Sequence, residues 1–391
     1  MKNQFKILAE DIKLSKLKVA EPKELGNMVI KNRFVRSATF DRMASEEGKV
    51  TEDLLNFYKP LAKGGAGLII TGLTSVHPSG HGYPNQLVIE TDDFIPGLNR
   101  LSDAIHENGE DCKTLLQLNH NGRQSMTLGL EPIAPSAIQE PMLNNMPREM
   151  TVEEIEEIIE AFAEATRRAM EAGFDGVQLH AAHGYLLSEF LSPHTNKRTD
   201  AYGGTTENRV KIIEKIYKKA KKMVGKDYPI IIKMNGDDFI EGGIDINESK
   251  KIATFFSQLG MAAIEISGCM WEVTLRSKKE LGWMPAILPE SRVDITSKDQ
   301  EAYNLPSAKE IKKLINIPLI LVGGLKSLDV IEKILQEENA DFIAMCRPLI
   351  REPDLPNRWL RGIGDLTCEC ISCNSCVGSV LQGKLKCIYK E

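Results

Sequence analysis

Short apolar runs alternate along the chain with longer stretches in which apolar residues recur at helical spacing. The runs are RFVRSA (33–38), GLIITG (67–72), KTLLQL (113–118), DGVQLH (175–180), PIIIKM (229–234), AAIEIS (262–267), PLILVGG (318–324) and DFIAMC (341–346). A strand with one wet face alternates apolar and polar residues. Most of these runs barely alternate, so both faces are expected to be covered. The stretches between them predict helices. TVEEIEEIIEAFAEATRRAMEAG opens on a capping box, Thr151 with Glu154, and closes at Gly173. TENRVKIIEKIYKKAKKMVG, NESKKIATFFSQLG and SLDVIEKILQEENA carry the same spacing. Strand and helix alternating eight times predict an α/β fold, a (β/α)8 TIM barrel. A doubly wound open sheet fits less well, because no G-x-G-x-x-G follows the first strand.

The first 25 residues precede the first strand and are expected to cover the barrel bottom. The stretch 270–300 is long for a link between the sixth strand and its helix, which places it on the catalytic face. The expected division is a barrel over 1–365 and a small Cys-rich tail over 366–391.

Composition narrows the function classes. Of the 391 residues 42% are hydrophobic and 27% charged, ordinary for a globular protein. A formal net charge of −6 speaks against nucleic acid or an anionic membrane as the main partner. No apolar stretch is long enough to span a membrane, and the N-terminus has no secretory signal, so the cytoplasm is the expected location.

In a barrel of this kind chemistry gathers at the C-terminal ends of the strands. The third strand ends in Gln117, the fourth in His180 with His183 and Tyr185 beyond, the fifth in Lys233, the seventh in Gly323-Gly324 and the eighth in Cys346-Arg347. Loops after the seventh and eighth strands commonly build a phosphate site. Gly323 and Gly324 allow backbone N–H groups close to an anion, and Arg347 can pair with it bidentately. Lys233 at the end of a buried strand needs an anionic or polar partner, and Gln117 offers a donor and an acceptor in the same mouth. His180 and His183 suit a metal poorly, for no well-placed carboxylate completes a site nearby. Two neutral imidazoles can instead both donate to one oxygen and stabilise negative charge growing there. Tyr185 is a candidate proton donor.

These residues resemble the Old Yellow Enzyme family of FMN-dependent NAD(P)H oxidoreductases. The likeness runs through NRFVRSATFDRMA, KGGAGLIITG, LLQLNHNGRQS, GFDGVQLHAAHGYLLSEFLSPHTNKRTDAYGG, IIIKMNGDD, LVGGL and RPLIREPDLPNRW, in order over about residues 20 to 365. The resemblance implies FMN at the barrel mouth. Ser37 and Ala38 would line the flavin with Gly72 nearby, Gln117 would meet its pyrimidine edge, and Lys233 would stand near N1 and O2. Gly324 and Arg347 would hold the phosphate. His180 and His183 match the pair that binds a substrate carbonyl, and Tyr185 the proton donor. NAD(P)H is the implied reductant and an enone or related small acceptor the implied substrate, in a ping-pong cycle. Three positions depart from the common pattern: Thr39-Phe40 beside the flavin edge, Cys346 before the phosphate arginine, and Lys233 where many members carry arginine.

Four of the eight cysteines form the series Cys370-x2-Cys373-x2-Cys376-x10-Cys387. Four thiolates at such spacing suit a 4Fe-4S cluster or a four-cysteine zinc site. The series is similar to the tail that holds a 4Fe-4S cluster in 2,4-dienoyl-CoA reductases and trimethylamine dehydrogenase. That likeness implies a possible cluster and an electron-transfer protein as partner; free thiols are the other reading. Three further classes stay open: a thioester reductase or amine demethylase fed by a partner, a barrel lyase with Lys233 as a Schiff-base lysine, and an electron carrier without turnover. A homo-oligomer is compatible with all of them.

Overall fold

The computed structural model describes residues 17–127 and 129–389. Eight parallel strands close on themselves: β1 (Phe34–Arg36), β2 (Leu68–Ile70), β3 (Lys113–Asn119), β4 (Gly176–Ala181), β5 (Ile230–Asn235), β6 (Ile264–Ser267), β7 (Leu319–Val322) and β8 (Phe342–Met345). β3 pairs with β4 and β8 with β1, which completes the ring. The (β/α)8 barrel expected from the sequence is borne out. The outer layer includes α1 (Glu52–Lys63), α2 (Ile95–Asn108), α3 (Val152–Glu171), α4 (Lys211–Val224), α5 (Ile246–Leu259), α6 (Leu305–Lys312), α7 (Leu328–Gln336) and α8 (Leu355–Leu360). The Thr151–Glu154 capping box is formed at the start of α3.

Side-chain alternation along each strand explains both the apolar runs and the site. Outward residues such as Ile69, Leu116, Leu179, Ile232, Ile266, Leu321 and Ile343 join the core shared with the helices. The inward stripe starts apolar, with Val35, Leu115, Ile231 and Ala263 in a separate inner cluster. Two residues further along each of these strands come Ser37, Gln117, Lys233 and Glu265. One inward stripe therefore makes a packed plug below and a polar floor above.

Of the first 25 residues, expected at the barrel bottom, 1–16 lie outside the described residues; the bottom is closed by the segment that follows them. Lys23–Leu25 and Met28–Ile30 form an antiparallel hairpin, and Leu25, Met28 and Ile30 enter the inner apolar cluster. No helix among the described residues is long and apolar enough to cross a membrane.

Candidate active site

The floor is a hydrogen-bonded chain of side chains from four strands and the segment after β1. The register sets Gln117 beside Gln178 and Lys233 beside Glu265. Gln117 Nε2 donates to Gln178 Oε1 (2.7 Å), and Gln178 Nε2 donates to Glu265 Oε2 (2.7 Å). Ser37 Oγ donates to Glu265 Oε1 (2.7 Å). Lys233 Nζ donates to Ser37 Oγ (2.9 Å) and pairs with Glu265 at 3.1 Å. Glu265 is fully buried and Lys233 nearly so. A buried charge needs such a partner and such bonds to be tolerated. The chain also orients Gln117: with one amide N–H committed to Gln178, its carbonyl oxygen and its second N–H are left free among the described residues.

Above this floor lies a cavity of about 550 Å3. It is lined by Ser37, Ala38, Gln117, Lys233, Gly323, Gly324 and Arg347, and also by His180, His183 and Tyr185. Ten of the eleven site residues expected from sequence outside the tail thus share one space. Gly72 does not. Its N–H donates to Tyr58 Oη at 2.8 Å, and a Cβ there would come within 2.7 Å of the Thr39 carbonyl and 2.8 Å of Asp41. Gly72 is a packing glycine that lets the segment after β1 lie against the end of β2.

His183 has a left-handed backbone, φ +63°. Three bonds pin it there: its N–H donates to Asn235 Oδ1 (3.1 Å), its carbonyl accepts from Gln124 Nε2 (2.8 Å), and its Nε2 meets Ser267 Oγ (2.7 Å). This turn brings the His183 ring to 5.1 Å from that of His180, and Tyr185 to 4.7 Å, both edge to face. Burial holds both imidazoles well below their usual range, and the Lys233 charge lowers each further; His180 is also depressed by His183. Both are therefore neutral at physiological pH, each with a single N–H to donate. Burial raises the Tyr185 phenol above its usual range, so it too keeps its proton. Its hydroxyl meets that of Tyr83 at 3.0 Å.

Several lining residues carried no clear sequence signal. Tyr83 comes from a loop and Trp271 from a short 3-10 helix after β6, and with Phe40 they make an aromatic wall: Phe40 and Tyr83 lie 4.7 Å apart and Tyr185 and Trp271 6.2 Å. Gln178 and Glu265 were legible in principle, as lone polar residues at inward parity within apolar runs. Trp271, Thr274, Ile287, Leu288 and Glu290 belong to the stretch 270–300, which therefore lies on the catalytic face as expected.

The donor set fits FMN. A buried cation and an amide acceptor stand on the floor, and an arginine beside two glycines lines the same space. Gly324 has φ +70°, and a Cβ there would meet Ile295 at 2.6 Å and the Tyr303 ring at 2.9 Å. Arg347 donates from Nη1 to Asn374 Oδ1 (2.7 Å) and to the Ser372 carbonyl (3.5 Å). Its Nε and Nη2 make no hydrogen bond among the described residues, so they are available to a phosphate.

Residues 18–365 match the NADH:flavin oxidoreductase / NADH oxidase family. The chain belongs to this family. It is 39% identical over 370 residues to an NADH oxidase of Thermoanaerobacter brockii, covering 93% of this chain and 54% of that protein. A solved 2-naphthoyl-CoA reductase complex is similar with a TM-score of 0.84 at 31% identity, over 95% of this chain and 56% of that one. An Old Yellow Enzyme homologue of Zymomonas mobilis gives a TM-score of 0.74 at 26% identity, over 90% and 95%. The resemblance read from the sequence is thus borne out. The chain spans about half the length of the first two of these relatives.

The tail packs onto this family barrel. Arg42 Nη1 donates to the carbonyls of Val380 (2.9 Å) and Leu381 (2.8 Å), and Leu385 N–H donates to the Asp41 carbonyl (3.0 Å). Its helix α9 (Ser375–Gln382) contributes Cys376, Val377 and Val380 to the main cavity. Cys370, Cys373, Cys376 and Cys387 line a second, small cavity. From the sequence these four are either a metal site or free thiols. The structure brings them around one space, yet no three His, Cys, Asp or Glu side chains among the described residues stand as a ligand set. Cys373 is turned outward, where its thiol donates to Ser375 Oγ at 3.3 Å. Burial raises the Cys370 thiol and pushes Cys376 up to about 12, so as placed they are neutral thiols.

Proposed function

We propose that this chain is an FMN-dependent NAD(P)H oxidoreductase that reduces the activated C=C bond of α,β-unsaturated carbonyl compounds. The observation that carries this reading is the convergence of two neutral imidazoles and a protonated phenol on one wall of the cavity, beside the Lys233 floor. Bound FMN would supply hydride chemistry, taking a hydride from NAD(P)H and passing one to the substrate.

The rest is the work of this chain's residues. Lys233 and the Gln117 carbonyl, with Ser37 and Ala38, would hold the ring of the cofactor, and Gly323, Gly324 and Arg347 its phosphate. His180 and His183 would donate to the substrate carbonyl, where negative charge grows as the β-carbon accepts hydride. Being neutral already, they need lose no proton to remain donors. Tyr185 would give its proton to the α-carbon, and Tyr83 would steady the tyrosinate through their shared hydrogen bond. The aromatic wall of Phe40, Tyr83 and Trp271 would keep water from that step.

The test separates the two half-reactions by stopped flow. Tyr185→Phe is expected to slow reduction of a plain enone about 100-fold and to leave reduction of the flavin by NADH unchanged. If both half-reactions slow equally, Tyr185 has a structural role and the proton-donor reading falls.

A second reading is favoured by one observation, the four cysteines around one small space against the main cavity. In it the tail holds a 4Fe-4S cluster and the chain exchanges electrons with a separate protein. The likeness to 2-naphthoyl-CoA reductase points the same way, toward a thioester substrate. Iron and acid-labile sulfide assayed on anaerobically purified protein decide between them. About four irons per chain would establish the second reading; flavin without iron would leave the first.

A further inference from the structure

Glu290 belongs to the long stretch after β6 and lines the main cavity. Its Oε2 is buried and has no hydrogen-bond partner. Among the described residues neither nearby cation bonds it: Lys233 pairs with Glu265, and Arg347 bonds Asn374 through Nη1. The backbone around Glu290 is fixed from two sides. Tyr303 Oη donates to the Glu290 carbonyl at 2.6 Å, and Asn374 Nδ2 donates to the Ser291 carbonyl at 2.6 Å. The backbone that carries the carboxylate is thus fixed on both flanks. An uncovered buried carboxylate is costly, and what relieves it best is a cation that donates a hydrogen bond.

We propose that Glu290 is a second recognition point in the cavity, which takes a protonated nitrogen on the substrate whose carbonyl His180 and His183 hold. The proposal rests on the enone reading and adds the chemical class of the acceptor: one that carries an ammonium group as well as the conjugated carbonyl.

Ionisation of Glu290 sets when the subsite works. Burial pushes its carboxyl up to about 7, while its own backbone N–H, then Lys233 on β5 and Arg347 after β8, draw it down. Tyr83, Tyr185 and Cys269 face it as neutral groups whose own ionisation its charge opposes. Below that value the carboxyl is protonated and cannot pair with an ammonium group. Above it the pair forms. Preference for a cationic ligand therefore rises with pH through neutrality.

The test is calorimetry on the FMN-loaded protein with two matched pairs, 2-phenylethylamine against 2-phenylethanol and tyramine against 4-ethylphenol. At about pH 8 the amine of each pair is expected to bind at least about tenfold tighter, and the preference to shrink at about pH 6. Glu290→Gln should erase the preference while keeping the affinity for 2-phenylethanol; the flavin content of the variant reports its folding. Amines that bind no tighter than their neutral partners overturn the proposal, as does a preference that survives Glu290→Gln. The first pair has no phenol to offer the histidines, so it judges Glu290 alone. Phenols that bind no better than their phenyl counterparts count against the histidine reading, and the first pair then decides the role of Glu290 by itself.

Discussion

Replacing His180 and His183 together by alanine is expected to lower kcat/KM for a simple enone about 1,000-fold, while FMN stays bound and its reduction by NADH is nearly unchanged. Removing one donor to a developing oxyanion costs about 100- to 1,000-fold in other systems, and two donors on one oxygen overlap in effect. The control is His183→Asn. Asparagine tolerates the φ of +63° found here and keeps a donor, so it should retain more activity than His183→Ala. A double variant with unchanged turnover would remove the histidines from the mechanism.

The same pair predicts a pH response. Both imidazoles lie well below the ordinary 6.5, so they stay neutral through the physiological range. Enone reduction should show no acid limb from them between about pH 6 and 8. Stability behaves differently. Below 6.5 the unfolded chain takes up protons that the folded chain refuses, so their contribution is whole above that value and falls away on acidification. A urea midpoint followed from about pH 7 to 5 should drop in the wild type and drop less in the double variant.

The barrel was legible because strands covered on both faces leave little room for polar residues. Each strand wrote itself as an apolar run, and the residue that closed it, His180 or Cys346, marked the mouth. The floor was only half legible. Gln117 and Lys233 stood out near strand ends, whereas Gln178 and Glu265 passed as incidental polar residues within DGVQLH and AAIEIS. Their meaning depends on which strands are neighbours and at what register, and that exists only once the barrel closes. Tyr83 and Glu290 lie in irregular segments and Trp271 opens a short 3-10 helix, where no periodicity says which side chains face inward. Gly72 came from the resemblance alone, as a residue near the flavin, and the space beside it is filled by Thr39 and Asp41.

Glu265 carries the second large effect. Glu265→Leu should destabilise the protein by about 3–5 kcal/mol. The carboxylate is fully buried and takes hydrogen bonds from Ser37 and Gln178 while pairing with Lys233. Its loss leaves a buried ammonium without a counter-charge and two donors without an acceptor. If the cost comes from the orphaned charge rather than from packing, neutralising the partner must recover part of it. The double variant Glu265→Leu with Lys233→Met is therefore expected to be more stable than Glu265→Leu alone. Its flavin affinity should nevertheless remain low, because the cation on the cavity floor is gone. Urea unfolding of the flavin-free forms measures the first effect, and flavin retention through gel filtration the second. A Glu265→Leu protein less than about 1 kcal/mol below the wild type would show that the floor is wet and its charges independent. The orientation of Gln117 argued from that network would then fall with it.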